Sequence, residues 1–318
     1  MTKTTNLEPA TKEQIRQYYH EEYNIKEIPE YITRNIHRRE FAFDRIGRGP
    51  KDRYNQYTQT RYLEKAIKAK APYAAYTSVA LYDNPRKREG WTEAEMVFDV
   101  DAKDNPLRTC TCKQGEVCPQ CLDDAKEITL KISDNIRELG YKDIHYVFSG
   151  RGYHIRIQDP ELVKTDRNFR TQLVNYILGA DTPELPEGLQ HFTIPFGYPQ
   201  VYTDWFKYTV NHLTKDKRYP GLNRKLKKDI IKRKQLVNNN HWGLIRGQIT
   251  PPRYDKLVEM IAGINHHLCD TKVSIDTKRI LRLPSTLHHK VSMKCMAIRN
   301  IETFDPMSKA VPKFVEEK

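Results

Sequence analysis

Apolar residues along this chain follow two rhythms, and each predicts a kind of element. Alternation with period two marks a strand, because successive side chains leave opposite faces; recurrence every three or four residues marks one face of a helix. The alternation is sharpest from Glu95 to Ala102, where Asp99 and Asp101 share one face and Phe98 and Val100 the other. It recurs from Arg38 to Ile46, with Phe41 and Phe43 opposed to Glu40 and Ala42, and from Tyr76 to Pro85, where Asn84-Pro85 supplies a turn. From His145 to Asp159 a strand, a glycine turn and a second alternating strand follow one another. Helical spacing joins Ile128, Ile132, Ile136 and Leu139 and stops at Gly140, a natural C-terminal cap, so a helix is expected over residues 121–139. Thr11 to Tyr23 reads as another helix, opened by Thr11 and Gln14 at capping-box spacing. A third stripe, Leu222, Leu226 and Ile230, recurs every four residues.

Composition narrows the class. At 318 residues the chain is long enough for a substantial core, and its length favours about two domains or one elaborated domain. No run approaches the ~18 apolar residues of a membrane span. The segment MTKTTNLEPA lacks the apolar stretch of a signal peptide. The expectation is a protein that is not secreted, has no membrane partner, and works in the cytoplasm, or in the nucleus of a nucleated cell. A net charge of +13 and a pI near 9.3 fit a polyanionic partner, and equally an ordinary solvated surface. The excess is densest between Lys215 and Lys234, where ten Lys and Arg stand against two Asp. Such a helix either tracks phosphates or presents a solvated cationic face. Gly47 to Lys65 mixes basic and aromatic residues, and Tyr54, Tyr57 and Tyr62 are expected to pack onto the core.

Three clusters carry candidate chemistry. Asp99 and Asp101 sit one pleat apart on an otherwise apolar strand, so they repel unless a divalent cation or an arginine neutralises them. The bland alternative is a strand running into an acidic loop with Asp101, Asp104 and Asn105 solvated. Cys110, Cys112, Cys118 and Cys121 place four thiols within twelve residues. Without a secretion signal that pattern favours zinc in a closed thiolate site over disulfides, with reduced thiols as the alternative. Cys269 and Cys295 read as ordinary thiols, and His266, His267 and Cys269 as a half-buried loop. Around Gly150 and Gly152, which let the backbone approach a ligand closely, Ser149, Arg151 and His154 offer donors to phosphate oxygens. A plain hairpin with a surface arginine is the alternative there.

In this order and spacing, EMVFDVDA, the cysteine cluster and FSGRGYHI resemble the catalytic small subunit of archaeal and eukaryotic DNA primase. HRREFAF, YTSVALYDNP and VSIDTKRILRLPSTLHHK extend the resemblance from about Arg38 to about Lys290, with no recognised motif between Asp159 and Lys272. It implies an α+β fold, with a primase-type mixed β-sheet catalytic core, flanking helices, a zinc knuckle and a helical insertion. Residues 1–159 and 266–318 would form the core, with the knuckle at 108–122, and residues 160–265 a mainly helical, basic insertion. Carried over residue by residue, Asp99, Asp101 and Asp276 resemble the catalytic aspartates that hold Mg2+ or Mn2+. Ser149, Arg151 and His154 resemble the triphosphate-binding turn. Arg279, Arg282 and His288 resemble further nucleotide contacts, and Arg39 and Glu40 the element lining the site. The four cysteines resemble the family's structural Zn2+ site.

The implied reaction is two-metal nucleotidyl transfer from NTPs, making short RNA primers, with dNTPs and DNA as a further product, on single-stranded DNA template. The implied partners are a primase large subunit, in a heterodimer, and the replication machinery. Two departures stand out: SGRG carries one arginine where eukaryotic relatives carry two, and Lys290-Val291-Ser292 replaces a Thr-Gly usual in the family. Two rival readings stay open. One is a repair-type primase-polymerase that extends primers; the other is a non-catalytic zinc-containing nucleic-acid-binding subunit.

Overall fold

The computed structural model describes residues 7–112, 117–181 and 198–316. Its architecture is α+β, and the period-two segments become antiparallel strands. In chain order these are β1 (Phe41–Asp44), β2 (Asp52–Asn55), β3 (Ala74–Ser78), β4 (Ala80–Asn84), β5 (Glu89–Ala94), β6 (Met96–Asp101), β7 (Ile144–Phe148), β8 (Gly152–Ile157), β9 (Ile280–Arg282), β10 (Leu287–His288), β11 (Met293–Lys294) and β12 (Met296–Ile298). One four-stranded sheet runs β2-β1-β3-β9 and another β12-β7-β8-β6, while β4 pairs with β5 and β10 with β11.

The second sheet shows why the chain folds as it does. Phe98 and Val100 are fully buried, and the helix Pro119–Glu138 packs across β6 and β8. That helix presents Ile128, Ile132 and Ile136 to the same core, each contributing roughly 1.5–3 kcal/mol by leaving water. It ends where expected, at Leu139, with Gly140 in the left-handed region at φ +93°. Lys12–Glu21 likewise forms the first helix, and both capping-box hydrogen bonds of Thr11 and Gln14 are made.

Two expected strands are cut short by local hydrogen bonding. Tyr76–Pro85 breaks at Val79 into β3 and β4, which join different sheets. Val79 is where the chain changes partners: its N–H donates to the Arg279 carbonyl, continuing the β3–β9 pairing, and its carbonyl accepts from Glu95 N–H at the start of the β4–β5 pairing. The Ser78 hydroxyl holds the bend by donating to the Ala80 carbonyl at 2.6 Å. In Arg38–Ile46 only β1 is extended, because Ile36–Arg38 is a 3-10 turn and the Asp44 carboxylate accepts from the N–H groups of Ile46, Arg48 and Gly49. Both faces of β1 are covered, so Glu40 and Ala42 are as buried as Phe41 and Phe43.

The expected core tyrosines separate. Tyr57 packs edge-on against Phe41 at 5.6 Å, but Tyr54 and Tyr62 are 43% and 47% exposed. Tyr54 lies on β2, an edge strand, and Tyr62 on the outer side of the helix Thr60–Lys70, whose buried positions are Leu63 and Ile67.

Between residues 160 and 265 the described elements are helices, including Arg167–Leu178, Tyr198–His212, Arg224–Ile231 and Pro251–His266. Residues 182–197 of that stretch lie outside the described residues. Leu222, Leu226 and Ile230 are buried as the four-residue stripe predicts, in a core continuous with the one beneath the second sheet. A smaller cluster, Val79, Ala80, Tyr82, Ala94, Val97, Val273 and Leu281, closes the seam between the two sheets.

Candidate active site

A cavity of about 140 Å³ opens at that seam. The first sheet lines it with Tyr76 from β3 and Ile280, Leu281 and Arg282 from β9. The second sheet contributes Asp99 and Asp101 from β6, His154 from β8, and Ser149 and Arg151 from the turn between β7 and β8; His288 on β10 completes the wall. Antiparallel register sets Asp99 opposite His154 and Asp101 opposite Gly152.

Both turn glycines are required by contact. Gly150 has φ +94°, and a Cβ there would come within 2.5 Å of the His288 Cβ. A Cβ on Gly152 would lie 2.2 Å from the Val100 carbonyl oxygen, so only glycine lets the turn close on β6. These two contacts place Arg151 over the carboxylates, with its guanidinium 2.8 Å from Asp101 Oδ2.

The electrostatics of the cavity are unbalanced. Burial, then the charges of Asp101 and Asp270, push the Asp99 carboxyl up to about 7. Burial also raises Asp101, against the pull of Arg151. His154 is driven down to about 3 by burial and by Arg156 and Arg282, and His288 falls well below its ordinary value for the same kind of reason, with Arg282 and Arg151 as neighbours. Both imidazoles are therefore neutral at pH 7, and the 3.4 Å approach of His154 Nε2 to Asp99 is no ion pair. Arg151 Nε, His154 Nδ1, Arg282 Nη1 and His288 Nδ1 are buried with no hydrogen-bond partner among the described residues. Unpaired buried donors and crowded carboxylates both cost free energy until a ligand answers them. Donors aimed at phosphate and carboxylates short of positive charge fit a polyphosphate bound together with divalent cations.

Not every expected residue arrives here. Asp276 is half exposed, pairs with Arg279 at 3.2 Å, and lines two neighbouring cavities instead. Asp270 stands nearer the pair: its N–H donates to the Asp99 carbonyl at 2.8 Å and its charge raises the Asp99 carboxyl. The signal for it was in the sequence, which carries Asp-Thr-Lys twice, at Asp270 and at Asp276. Only the first copy caps the short helix Thr271–Ile275, which packs on β6. Arg279 belongs with the neighbouring cavities. Arg39 is buried and bound to Glu95 at 2.6 Å and to the carbonyl of Ser78. Glu40 is buried and held by Arg53 at 2.8 Å. Long-range partners thus withdraw both residues from the cavity.

The cysteine cluster lies apart. The Sγ atoms of Cys110, Cys112, Cys118 and Cys121 all fall within 4.8 Å of one another, which suits one tetrahedral soft cation. Without a cation, burial and the neighbouring thiols push Cys112 up to about 12. Asp124 pins the loop by accepting from Thr109 N–H at 2.6 Å, and Lys217 donates to the Arg108 carbonyl at 2.7 Å. Lys217 is therefore committed to the protein, as is Lys227, buried and donating to the carbonyls of Lys215 and Lys217. The basic segment is in part an internal brace.

The family model described as DNA primase small subunit matches residues 98–301. Among curated relatives, the DNA primase small subunit PriS of Methanobrevibacter smithii is 47% identical, over 97% of this chain and 98% of the relative. The protein of the same name from Methanothermobacter thermautotrophicus is 44% identical over 98% of each. That from Pyrococcus abyssi is 40% identical over 97% of this chain and 94% of the relative.

Proposed function

The chain belongs to the DNA primase small subunit family, and from that premise we propose that the seam cavity is a nucleotidyl-transfer site making primers on single-stranded DNA. One observation carries the reading: two like-charged carboxylates on one strand share a cavity with Arg151 Nε, Arg282 Nη1 and the Nδ1 atoms of His154 and His288, buried donors with no hydrogen-bond partner among the described residues. Arg151 and Arg282 hold the triphosphate of the incoming nucleotide by charge, and His154 and His288 donate to it as neutral imidazoles. Arg282 lies 5.2 Å from the Tyr76 ring centre, so the ring keeps it extended along the cavity wall. In the transfer, the primer 3′-hydroxyl gives its proton to water as its oxygen bonds to the α-phosphorus, the α–β phosphoanhydride breaks, and pyrophosphate leaves with the charge that Arg151 and Arg282 stabilise.

Asp99, Asp101 and Asp270 are the carboxylates that would hold divalent cations, because their oxygens are hard donors and their mutual repulsion needs positive charge. When bound, Mg2+ or Mn2+ supplies Lewis-acid activation of the attacking hydroxyl and neutralises the triphosphate. The four cysteines would hold Zn2+ as a structural brace beside the helix Pro119–Glu138. A larger partner subunit follows from the relatives' name.

The test is synthesis on unprimed single-stranded DNA with labelled NTPs or dNTPs, with and without a candidate large subunit. Short products that disappear in Asp99→Ala support the proposal. Products surviving Asp99→Ala and Asp101→Ala would overturn the site. Extension of an annealed primer without initiation would move the reading to a repair-type polymerase.

A further inference from the structure

Two larger cavities continue the seam beyond the carboxylates. The nearer, about 470 Å³, shares Tyr76 and Ile280 with the carboxylate cavity and adds Arg53, Arg88, Lys278 and Arg279. The farther, about 630 Å³, shares Asp276, Lys278 and Arg279 with the nearer one and adds Trp91, Arg167 and Lys272. Six cations thus line a continuous cleft, Arg53 held by Glu40 and Arg279 by Asp276, and the lining acids among the described residues are Asp166 and Asp276. Both acids are already engaged. Asp166 caps the helix Arg167–Leu178 by accepting from Phe169 N–H, and Asp276 pairs with Arg279.

Aromatic faces accompany the charge. Trp91, on β5, is 39% exposed, whereas Trp205 and Trp242 are buried. The exposed Tyr54 ring lies beside Arg53 and Arg88, at 5.4 and 5.2 Å from its centre, and its hydroxyl accepts from Arg88 at 3.4 Å. Arg88 closes the turn between β4 and β5, where Arg86 and Lys87 precede it. A hairpin with a cationic tip and an outward tryptophan therefore stands over the cleft.

We propose that this cleft, from Trp91 past Arg88, Lys278 and Arg279 to Tyr76, is the track along which single-stranded DNA reaches the carboxylates. A lone nucleotide needs one knot of donors around its phosphates, and the carboxylate cavity supplies that. A strand needs cations repeated along its backbone and flat rings for unstacked bases, which is what the two further cavities offer. The templating base then meets the incoming one at the wall shared by Tyr76 and Ile280. The identity of the strand as template rests on the proposed primer synthesis; its binding does not.

The test uses the full chain without nucleotides or divalent cations, titrating labelled oligothymidylate by anisotropy. Trp91→Leu is expected to weaken binding roughly tenfold, the scale of one lost stacked base, and Trp91→Phe to restore most of it. In the unaltered chain the oligonucleotide should quench tryptophan emission, and Trp91→Leu should abolish the quench. The double variant Arg88→Ser and Lys278→Ser should reduce the slope of log affinity against log salt by about 1.4. Unchanged affinity and slope in these variants would overturn the track, as would weakened NTP binding with oligonucleotide binding intact, which makes the cleft a nucleotide pocket. An unaltered chain that fails to make primers would sink the proposed activity and leave this binding result standing.

Discussion

One face of the second sheet carries ionisable residues at both ends, and the two ends have opposite fates. Glu95, Val97, Asp99 and Asp101 alternate onto that face, with Arg156 opposite Val97 and His154 opposite Asp99 on β8. At the Glu95 end the charges are closed: Arg39 and Arg156 each approach the carboxylate to 2.6 Å, and all three side chains are at most 5% exposed. At the Asp99 end two acids and a nearby third share one direct arginine contact, that of Arg151 on Asp101. One carboxylate bridging two guanidinium groups, all fully buried, makes a brace; excess acid opening onto a cavity makes a binding site. Residue types alone do not separate them.

The strongest contrast is in activity. Asp99→Ala or Asp101→Ala should reduce nucleotide incorporation by at least about 10²–10³-fold, the scale of losing one preorganised electrostatic contact, while circular dichroism and the denaturant midpoint hold or rise. Relief of like-charge crowding is the reason stability does not fall. Primer synthesis near the unaltered rate would break the comparison. Glu95→Ala should do the reverse, costing about 3–5 kcal/mol of stability because two buried guanidinium groups lose their counter-charge. Urea unfolding measures it, and a loss below about 1 kcal/mol would show that the Glu95 end is not a brace.

The two ends should also answer pH with opposite sign. Asp99 titrates near 7 in the folded chain, above its ordinary 3.8, so the folded state keeps a proton that the unfolded state has released. Without divalent cations, this contribution to stability is intact below pH 3.8 and is lost as pH rises towards 7. Glu95 is held below its ordinary 4.5, because Arg156 and Arg39 outweigh burial, so its contribution is present above 4.5 and lost in acid. Denaturant midpoints across pH 3 to 8 should therefore lose their fall towards neutrality in Asp99→Asn and their acid-side loss in Glu95→Gln. Divalent cations should flatten the first slope and leave the second.

The same contrast shows what the sequence could reveal. The alternation around Asp99 and Asp101, the paired glycines at 150 and 152, and the four cysteines were legible because each is local: a pleat, a turn and a spacing place the side chains. Arg39 was not, because its place is decided by Glu95, distant in sequence, whereas Arg151 is set by the tight turn it occupies. Nor was Asp270, since Asp-Thr-Lys occurs twice and only packing on β6 distinguishes the copies. In the helical region the stripe gave the buried face of Arg224–Ile231, but nothing local says that Lys227 turns inward to the carbonyls of Lys215 and Lys217.

The smallest effect is the most discriminating. If the Glu95 end is only a brace, removing all of its charge should cost less than removing part of it. The triple variant Arg39→Met, Glu95→Leu and Arg156→Met removes all three charges of that cluster together, and apolar replacement of such groups is often neutral. Its residual cost comes from the carbonyls of Ser78 and Tyr31, which lose the Arg39 donors. About 1–3 kcal/mol is expected, below that of Glu95→Ala alone, with primer synthesis retained. The matching removal at the other end, Asp101→Leu with Arg151→Met, also cancels charge, yet it should abolish synthesis, because there the charges serve a ligand rather than each other. A triple variant that unfolds more readily than Glu95→Ala, or that folds without synthesis, would mean that the brace itself contributes to the chemistry of the cavity.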